Sequence, residues 1–129
     1  NTSFQDVTFQ NCKLLGLQFE SCNNFGFEAT FENCRLSHAS FYNLKINRAV
    51  FKNSELQGVD FTTAKLKNAI INNCNLQDAV FESTDLKNSD FRSSVNYSID
   101  PEKNQISGAK FSLSGVTGLL AKYNINIEI

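Results

Sequence analysis

Three observations predict an all-β solenoid built from square coils. A large apolar residue occupies every fifth position from Phe31 to Phe91. The residue two places before each of them is small or medium-sized and mostly uncharged, and polar residues rich in Asn, Lys and Ser lie between. A helix repeats about every 3.6 residues and a strand about every 2. Each five-residue unit is therefore expected to be a short extended side followed by a corner.

The order of residue types predicts four sides per coil. Phe alternates with Leu or Ile along the large positions, and Ile71 is the one substitution on the Phe side. An even number of sides stacks like residues on like, and two sides enclose nothing, so a coil of four such units is expected. Neighbouring coils should then pair as parallel strands about 4.8 Å apart. The predicted columns are Phe31-Phe51-Ile71-Phe91, Leu36-Leu56-Leu76, Phe41-Phe61-Phe81 and Ile46-Leu66-Leu86.

The N-terminal units repeat in a different phase. Two extra residues must lie between Glu20 and Phe27, where turn-forming Asn and Gly residues occur. The insertion is either a bulge at one corner of the solenoid or a small loop that marks a partner surface. With the insertion allowed for, the expected stacked pairs are Phe9 on Phe31, Leu14 on Leu36 and Phe19 on Phe41.

The motif fades after Phe91 and ends after Phe111. Residues 93–105 are expected to form a last, degenerate coil with Pro101 at a corner and Asn96 in place of Leu. The pattern predicts a short helix over Ser114–Tyr123, capped by Ser112 or Ser114, and then a strand from Ile125 to Ile129. We therefore predict one domain with two parts, a repeat region over 1–111 and a C-terminal segment over 112–129.

This C-terminal segment carries more apolar residues than a cap requires. The surplus is either a contact between two copies of the chain, or it folds entirely onto the last coil. The predicted homodimer interface consists of Leu119, Leu120, Tyr123, Ile125 and Ile127.

Composition favours a cytoplasmic protein of one domain. The chain has 129 residues and a net charge of -1, which indicates no partner by itself. It has no apolar run long enough for a transmembrane helix and no visible signal peptide, so we expect no membrane association. Because the sequence begins at Asn1 without Met and enters the repeat almost at once, we expect that the protein has residues before Asn1 that are missing from this sequence. The sequence has four cysteines, Cys12, Cys22, Cys34 and Cys74. Cys12, Cys34 and Cys74 occupy the small inward position of the repeat and are expected to be buried, reduced thiols, with a Cys12–Cys34 disulfide as the alternative.

The sequence contains no catalytic, cofactor-binding or metal-binding motif. No CxxC pair occurs, and the only histidine, His38, falls at a corner that faces solvent. We therefore predict a protein that is not an enzyme and that needs no cofactor.

Charged residues fall into two stripes of opposite sign on neighbouring walls. Each stripe is either solvated surface or a surface that steers a charged partner. The acidic stripe consists of Glu20, Asp60, Asp78 and Glu82. The basic stripe consists of Lys45, Arg48, Lys65, Lys67 and Lys87, with only Asp85 among them.

The five-residue units resemble the pentapeptide repeat family, whose unit is commonly written A(D/N)Lxx. The best matches are Ala79–Ser83, Ala64–Asn68 and Cys74–Asp78, and the resemblance covers about residues 2–111. The family's fold is a right-handed quadrilateral β-helix. The end of the chain, Gly108–Gly115 followed by Gly118–Leu120, resembles the Qnr-like members, which include quinolone-resistance determinants that protect DNA gyrase.

This resemblance implies a function based on binding rather than catalysis. It implies a homodimer joined through the C-terminal segment that engages DNA gyrase and topoisomerase IV and shields them from quinolones, without a cofactor. The mechanism that it implies is mimicry of DNA by shape and negative charge, with the acidic stripe facing the partner and no direct nucleic acid binding. The alternative is a pentapeptide repeat scaffold that binds a different protein.

Overall fold

The chain winds into a rod of stacked four-sided coils. The structure is a computed structural model that describes residues 7–19 and 28–128. One wall of the rod is a parallel sheet in the order β1-β2-β3-β4. Its strands are β1 (Val7–Gln10), β2 (Ala29–Glu32), β3 (Val50–Lys52) and β4 (Ile70–Asn72).

The strand register confirms the predicted columns. Phe9 pairs with Phe31, Phe31 with Phe51, and Phe51 with Ile71. The first of these steps is longer than the others by two residues, as expected for the insertion after Phe19. The inserted segment itself lies within 20–27, outside the described residues.

The other three walls form single parallel bridges between neighbouring coils. Examples are Glu55 with Asn75, Asp60 with Val80, and Lys65 with Asp85, which repeat the step that separates Phe31 from Phe51. The fold is thus the predicted right-handed quadrilateral β-helix.

Aromatic rings fill the centre of the rod. Within a column the rings stack nearly parallel, with centroids 5.0 Å apart for Phe31 and Phe51. Rings from opposite walls meet edge to face, as Phe31 does with Phe41 at 5.7 Å and 80°. Both arrangements are favourable for aromatic pairs, by about 0.5–1.5 kcal/mol each beyond area burial.

The corners require a residue with positive φ. At one corner the Ala39 N–H donates to the Leu36 carbonyl at 2.9 Å, and His38 between them has a φ of 62°. This is a type II turn. Asn tolerates the left-handed region better than most residues, which explains its abundance at the corners. The corner asparagines with positive φ are Asn11, Asn33, Asn43, Asn53, Asn68, Asn73 and Asn88.

A column of small polar side chains is buried along one Leu wall. Ser94 Oγ accepts the Cys74 N–H at 3.1 Å and donates to the Ile71 carbonyl at 2.6 Å. Ser54 Oγ accepts the Cys34 N–H in the same way at 3.1 Å. These side chains satisfy corner backbone groups that would otherwise be buried without partners. The column consists of Cys12, which is half-buried, and of Cys34, Ser54, Cys74 and Ser94, which are buried.

The prediction of reduced, largely buried cysteines holds for the described ones. Cys12, Cys34 and Cys74 are free thiols, and Cys34 and Cys74 are buried. Burial raises the pKa of the Cys74 thiol to about 11. Cys22 lies outside the described residues.

Three local predictions at the end of the chain are wrong. The segment from Ser114 to Tyr123 forms two short 3-10 turns, Val116–Leu119 and Ala121–Tyr123, rather than one helix. The described residues 124–128 contain no strand, because no neighbouring strand pairs with them. Asn96 does not occupy the expected inward position. It turns outward with a φ of 64°, and the next residue, Tyr97, is buried instead.

Candidate protein interaction surfaces

The C-terminal segment begins with a turn built on Ser112. The Ser112 Oγ accepts the Gly115 N–H at 3.0 Å, and the Ser112 carbonyl accepts the Val116 N–H at 3.0 Å. Ser112, predicted as a helix cap, thus caps a tight turn that leads into the first 3-10 turn. The segment is held locally although it contains no α-helix.

Tyr97 joins this segment to the core of the rod. Its ring centroid lies 5.4 Å from that of Phe91 and 5.6 Å from that of Phe111. The neighbouring Ile99 N–H donates to the Gly118 carbonyl at 3.0 Å. The last coil and the C-terminal segment therefore share both an aromatic cluster and a backbone hydrogen bond.

Two glycines allow the segment to approach Tyr97 closely. A Cβ atom at Gly118 would overlap the Tyr97 carbonyl oxygen, and a Cβ atom at Gly115 would overlap the Tyr97 hydroxyl. The same glycines disfavour a helix, so close packing and the loss of the predicted helix have one cause.

An ion-pair cluster fixes the far side of the segment. Lys122 Nζ lies 3.1 Å from Asp100 Oδ1 and also contacts the Glu102 carboxylate. The pKa of Asp100 is lowered, mainly by a hydrogen bond from the backbone N–H of Glu102 and to a smaller extent by Lys122. Glu102 and then Asp100 raise the pKa of Lys122. Sequence reasoning missed this cluster, because Lys122 lies far along the chain from both carboxylates and outside the repeat.

The predicted dimer residues form a largely exposed apolar surface. Tyr123, Ile125 and Ile127 are 53%, 55% and 46% exposed, and Leu120 is 37% exposed. Leu119 differs, because it packs partly against the core. The structure adds Leu113, which sequence reasoning missed and which is 91% exposed. The dimer interface remains a prediction.

The members of the acidic stripe make contacts within the chain. Asp60 Oδ1 accepts the Thr62 N–H at 2.9 Å, and Glu82 lies 3.9 Å from Lys103 Nζ. Asp78 is exposed at a corner with a φ of 62°, and Glu20 lies outside the described residues. Lys103, one coil beyond Glu82, places a cation on the wall that carries the acidic stripe.

The stripe continues into Asp100 and Glu102, which lie outside the regular repeat. The Ser83 N–H donates to the Lys103 carbonyl at 2.8 Å, and Glu102 directly precedes Lys103, so both residues lie on the coil beyond Glu82. Both carboxylates contact Lys122. Much of the negative charge on this wall is therefore balanced by cations of the same chain.

The basic stripe is different, because its lysines have no such partners. Lys45 and Lys65 pair directly as neighbours on adjacent coils, and Lys67 precedes Lys87 by one coil. In the described parts of the chain, ion pairs within 4.0 Å include none of these four lysines. Arg48 is the exception in the stripe and pairs with Glu28 at 3.2 Å.

His38 is a surface residue, as predicted. It is exposed, and its ring lies over Gly58, where a Cβ atom would contact Nδ1. Across residues 7–19 and 28–128, no group of three or more His, Cys, Asp or Glu side chains is arranged to hold a metal ion. None of the helices in this part of the chain is long and apolar enough to cross a membrane.

The geometry defines a class of protein, a β-solenoid built from stacked four-sided coils. The profile of the family described as "Pentapeptide repeat region" matches residues 27–111. The chain belongs to the pentapeptide repeat family. No curated protein matches the chain.

Solved structures similar to this chain belong to proteins of several functions. HetL, a pentapeptide repeat protein involved in heterocyst differentiation regulation in the cyanobacterium Nostoc, has a TM-score of 0.63 and 21% identity. This similarity covers 83% of the chain and 40% of HetL. It shows the fold alone.

Two further structures have lower scores. A pentapeptide repeat protein of the Arabidopsis thaliana thylakoid lumen has a TM-score of 0.48 and 20% identity over 77% of this chain and 61% of its own length. QnrB1, a plasmid-mediated fluoroquinolone resistance protein, has a TM-score of 0.43 and 15% identity over 97% of this chain and 95% of its own. The chain thus spans less than two thirds of HetL and of the Arabidopsis protein.

Proposed function

We propose that this chain is a non-catalytic, cytoplasmic protein that binds a type II topoisomerase, DNA gyrase or topoisomerase IV, and protects it from quinolones. The observation that carries the proposal is the C-terminal segment. Its Qnr-like sequence packs through Gly115 and Gly118 against Tyr97 and presents apolar side chains to solvent. Such a surface, rigidly attached to the end of a rod, suits pairing of two copies into a longer rod.

The acidic stripe is the part of the proposal for which the charges offer least support. A DNA mimic needs uncompensated negative charge, whereas Glu82, Asp100 and Glu102 lie beside Lys103 or Lys122. This observation favours the second candidate function, a pentapeptide repeat scaffold that binds another protein by shape and apolar contact. Both candidates use the C-terminal surface and neither involves chemistry on a substrate.

A supercoiling assay separates the two candidates. Purified gyrase is inhibited with ciprofloxacin, and the protein is added at micromolar concentration. Restored supercoiling is expected if the chain protects gyrase. If the protein neither rescues nor inhibits supercoiling at any concentration tested, gyrase is excluded as the target and the scaffold function is left.

A pair of charge variants tests the acidic stripe in the same assay. Asp78→Asn with Glu82→Gln removes two charges from the stripe, while Glu32→Gln with Glu55→Gln removes two from other walls. Mimicry predicts that only the first pair weakens protection. Equal protection by both pairs would leave gyrase binding intact and exclude the acidic stripe as its contact surface.

A further inference from the structure

We propose that the basic stripe is a docking surface for an extended acidic segment of a partner protein. This surface is separate from the C-terminal segment and from the acidic stripe, so the inference does not depend on the proposed function. It rests on four lysines whose positive charge the described part of the chain leaves uncompensated: Lys45, Lys65, Lys67 and Lys87.

The charge of this surface is concentrated by the fold itself. Lys45 and Lys65 lie on adjacent coils in one column, and such neighbours are about 4.8 Å apart. Like charges placed directly opposite each other across strands are unfavourable. An anion that binds between them relieves this repulsion, so the fold provides a driving force for binding.

The spacing across the wall matches an extended peptide. Lys65 and Lys67 flank buried Leu66 on one short extended side and are both exposed. Side chains two residues apart on a strand are separated by roughly 6.6 Å. Carboxylates at alternate positions of an extended peptide have the same separation, so one peptide can face both lysines at once.

The single acid within the stripe forms no ion pair within 4.0 Å in the described part of the chain. Asp85 lies beyond Lys65 in the same column, but its Oδ1 accepts the Lys87 backbone N–H at 3.2 Å. Its carboxylate is thus directed to its own backbone. The Lys87 side chain, at the next outward position, remains available to bind a carboxylate of the peptide.

Other anionic partners fit this surface less well. The lysines span two coil steps, or roughly 10 Å, so a duplex would contact few phosphates. Among the described residues, the outward positions of this wall include no aromatic ring on which single-stranded bases could stack. The same described positions include no large apolar residue that could insert into a lipid surface.

Binding of a labelled peptide tests the inference. The probe is an eight-residue peptide of alternating Glu and Ser, and its binding to the full chain is measured by fluorescence anisotropy at low salt. The replacement Lys65→Gln with Lys67→Gln is expected to weaken binding about tenfold. A matched control, Lys13→Gln with Lys52→Gln, makes the same charge change on other walls and should leave binding unchanged.

Three results would overturn the inference. The first is an equal loss of peptide affinity in the two double variants, which would show that binding depends only on the net charge of the protein. The second is binding of a short DNA duplex that is tighter than binding of the peptide and that depends on Lys65 and Lys67. The third is the same dependence for vesicles containing phosphatidylserine in place of the peptide.

Discussion

The hydroxyl of Ser94 lies one coil beyond Cys74 and joins two backbone groups of that coil, because it accepts the Cys74 N–H at 3.1 Å and donates to the Ile71 carbonyl at 2.6 Å. Cys74 repeats the arrangement one coil earlier, since its thiol donates to the Phe51 carbonyl at 3.4 Å. A small polar side chain at this inward position is therefore a structural requirement of the corner.

Replacing Cys74 tests this requirement. Ser can make the same hydrogen bonds, so Cys74→Ser is expected to stay within about 1 kcal/mol of the parent in free energy of unfolding. Val leaves buried backbone groups unpaired, and Cys74→Val should cost about 1–3 kcal/mol. Urea unfolding followed by circular dichroism measures both. A Val variant as stable as the Ser variant would contradict the interpretation.

The buried thiol should also be chemically silent in the folded protein. Its pKa is raised to about 11 by burial, so at pH 8 very little thiolate exists. In a variant that retains only Cys74, with Ser at positions 12, 22 and 34, Ellman's reagent should react slowly in buffer and quickly in urea. Equal rates in the two solvents would show that the thiol is accessible.

Substitution of Gly118 should detach the C-terminal segment. The new Cβ atom of Gly118→Ala would overlap the Tyr97 carbonyl oxygen, which is backbone and cannot move aside cheaply. We expect faster proteolysis confined to residues after Phe111, with the rod intact. Gly16→Ala is the control, because a Cβ atom there meets no atom within 4 Å and the strain of its φ of 65° stays in the first coils. Proteolysis of Gly118→Ala at the parental rate would refute the close approach.

The Asp100 contacts predict a pH-dependent contribution to stability. The pKa of Asp100 is lowered from 3.8 in the folded chain, so its stabilising effect is complete above that pH and is lost as the pH falls through the folded value. Asp100→Asn should therefore be less stable than the parent at pH 7, and the gap should narrow below pH 3.8. Urea midpoints at pH 7, 5 and 3 measure the gap. A gap that stays constant at pH 3 would assign the effect to something other than the charge.

The predicted homodimer is tested by Leu120→Asp. A charge in the apolar surface of the C-terminal segment should dissociate a dimer, as measured by light scattering coupled to gel filtration. Ile70→Asp, at a 44% exposed position on β4, is the matched control and should leave the mass unchanged. A parent that is already monomeric at high micromolar concentration ends the dimer hypothesis.

The fold was predictable because period and residue type both repeat. The alternation of Phe with Leu or Ile predicted four walls, and the parallel pairing of Phe31 with Phe51 confirms the column. The last coil was harder to predict. There Asn96 adopts a positive φ, and Tyr97 takes the inward place against Phe91. A repeat of near-identical units does not indicate at which unit the register shifts by one residue.

The surfaces were only partly predictable for a related reason. Sequence placed Glu82 and Lys65 on their walls correctly, because outward positions follow from the period. Which charges are neutralised depends on contacts between coils, such as Glu82 with Lys103, and on the path of the C-terminal segment that carries Lys122. Neither is encoded in the five-residue motif.

The constant step that relates Phe31 to Phe51 and Lys45 to Lys65 also constrains how such a gene can change length. Loss of one whole coil from the regular region keeps every remaining residue on its own wall and shortens the rod by one coil. Loss of half a coil would move every residue after the deletion to the opposite wall. Phe would still stack on Phe, but each outward charge beyond the deletion would face the opposite side of the rod. Duplication or deletion of whole coils can therefore fit this rod to partners of different size without a change in its interior.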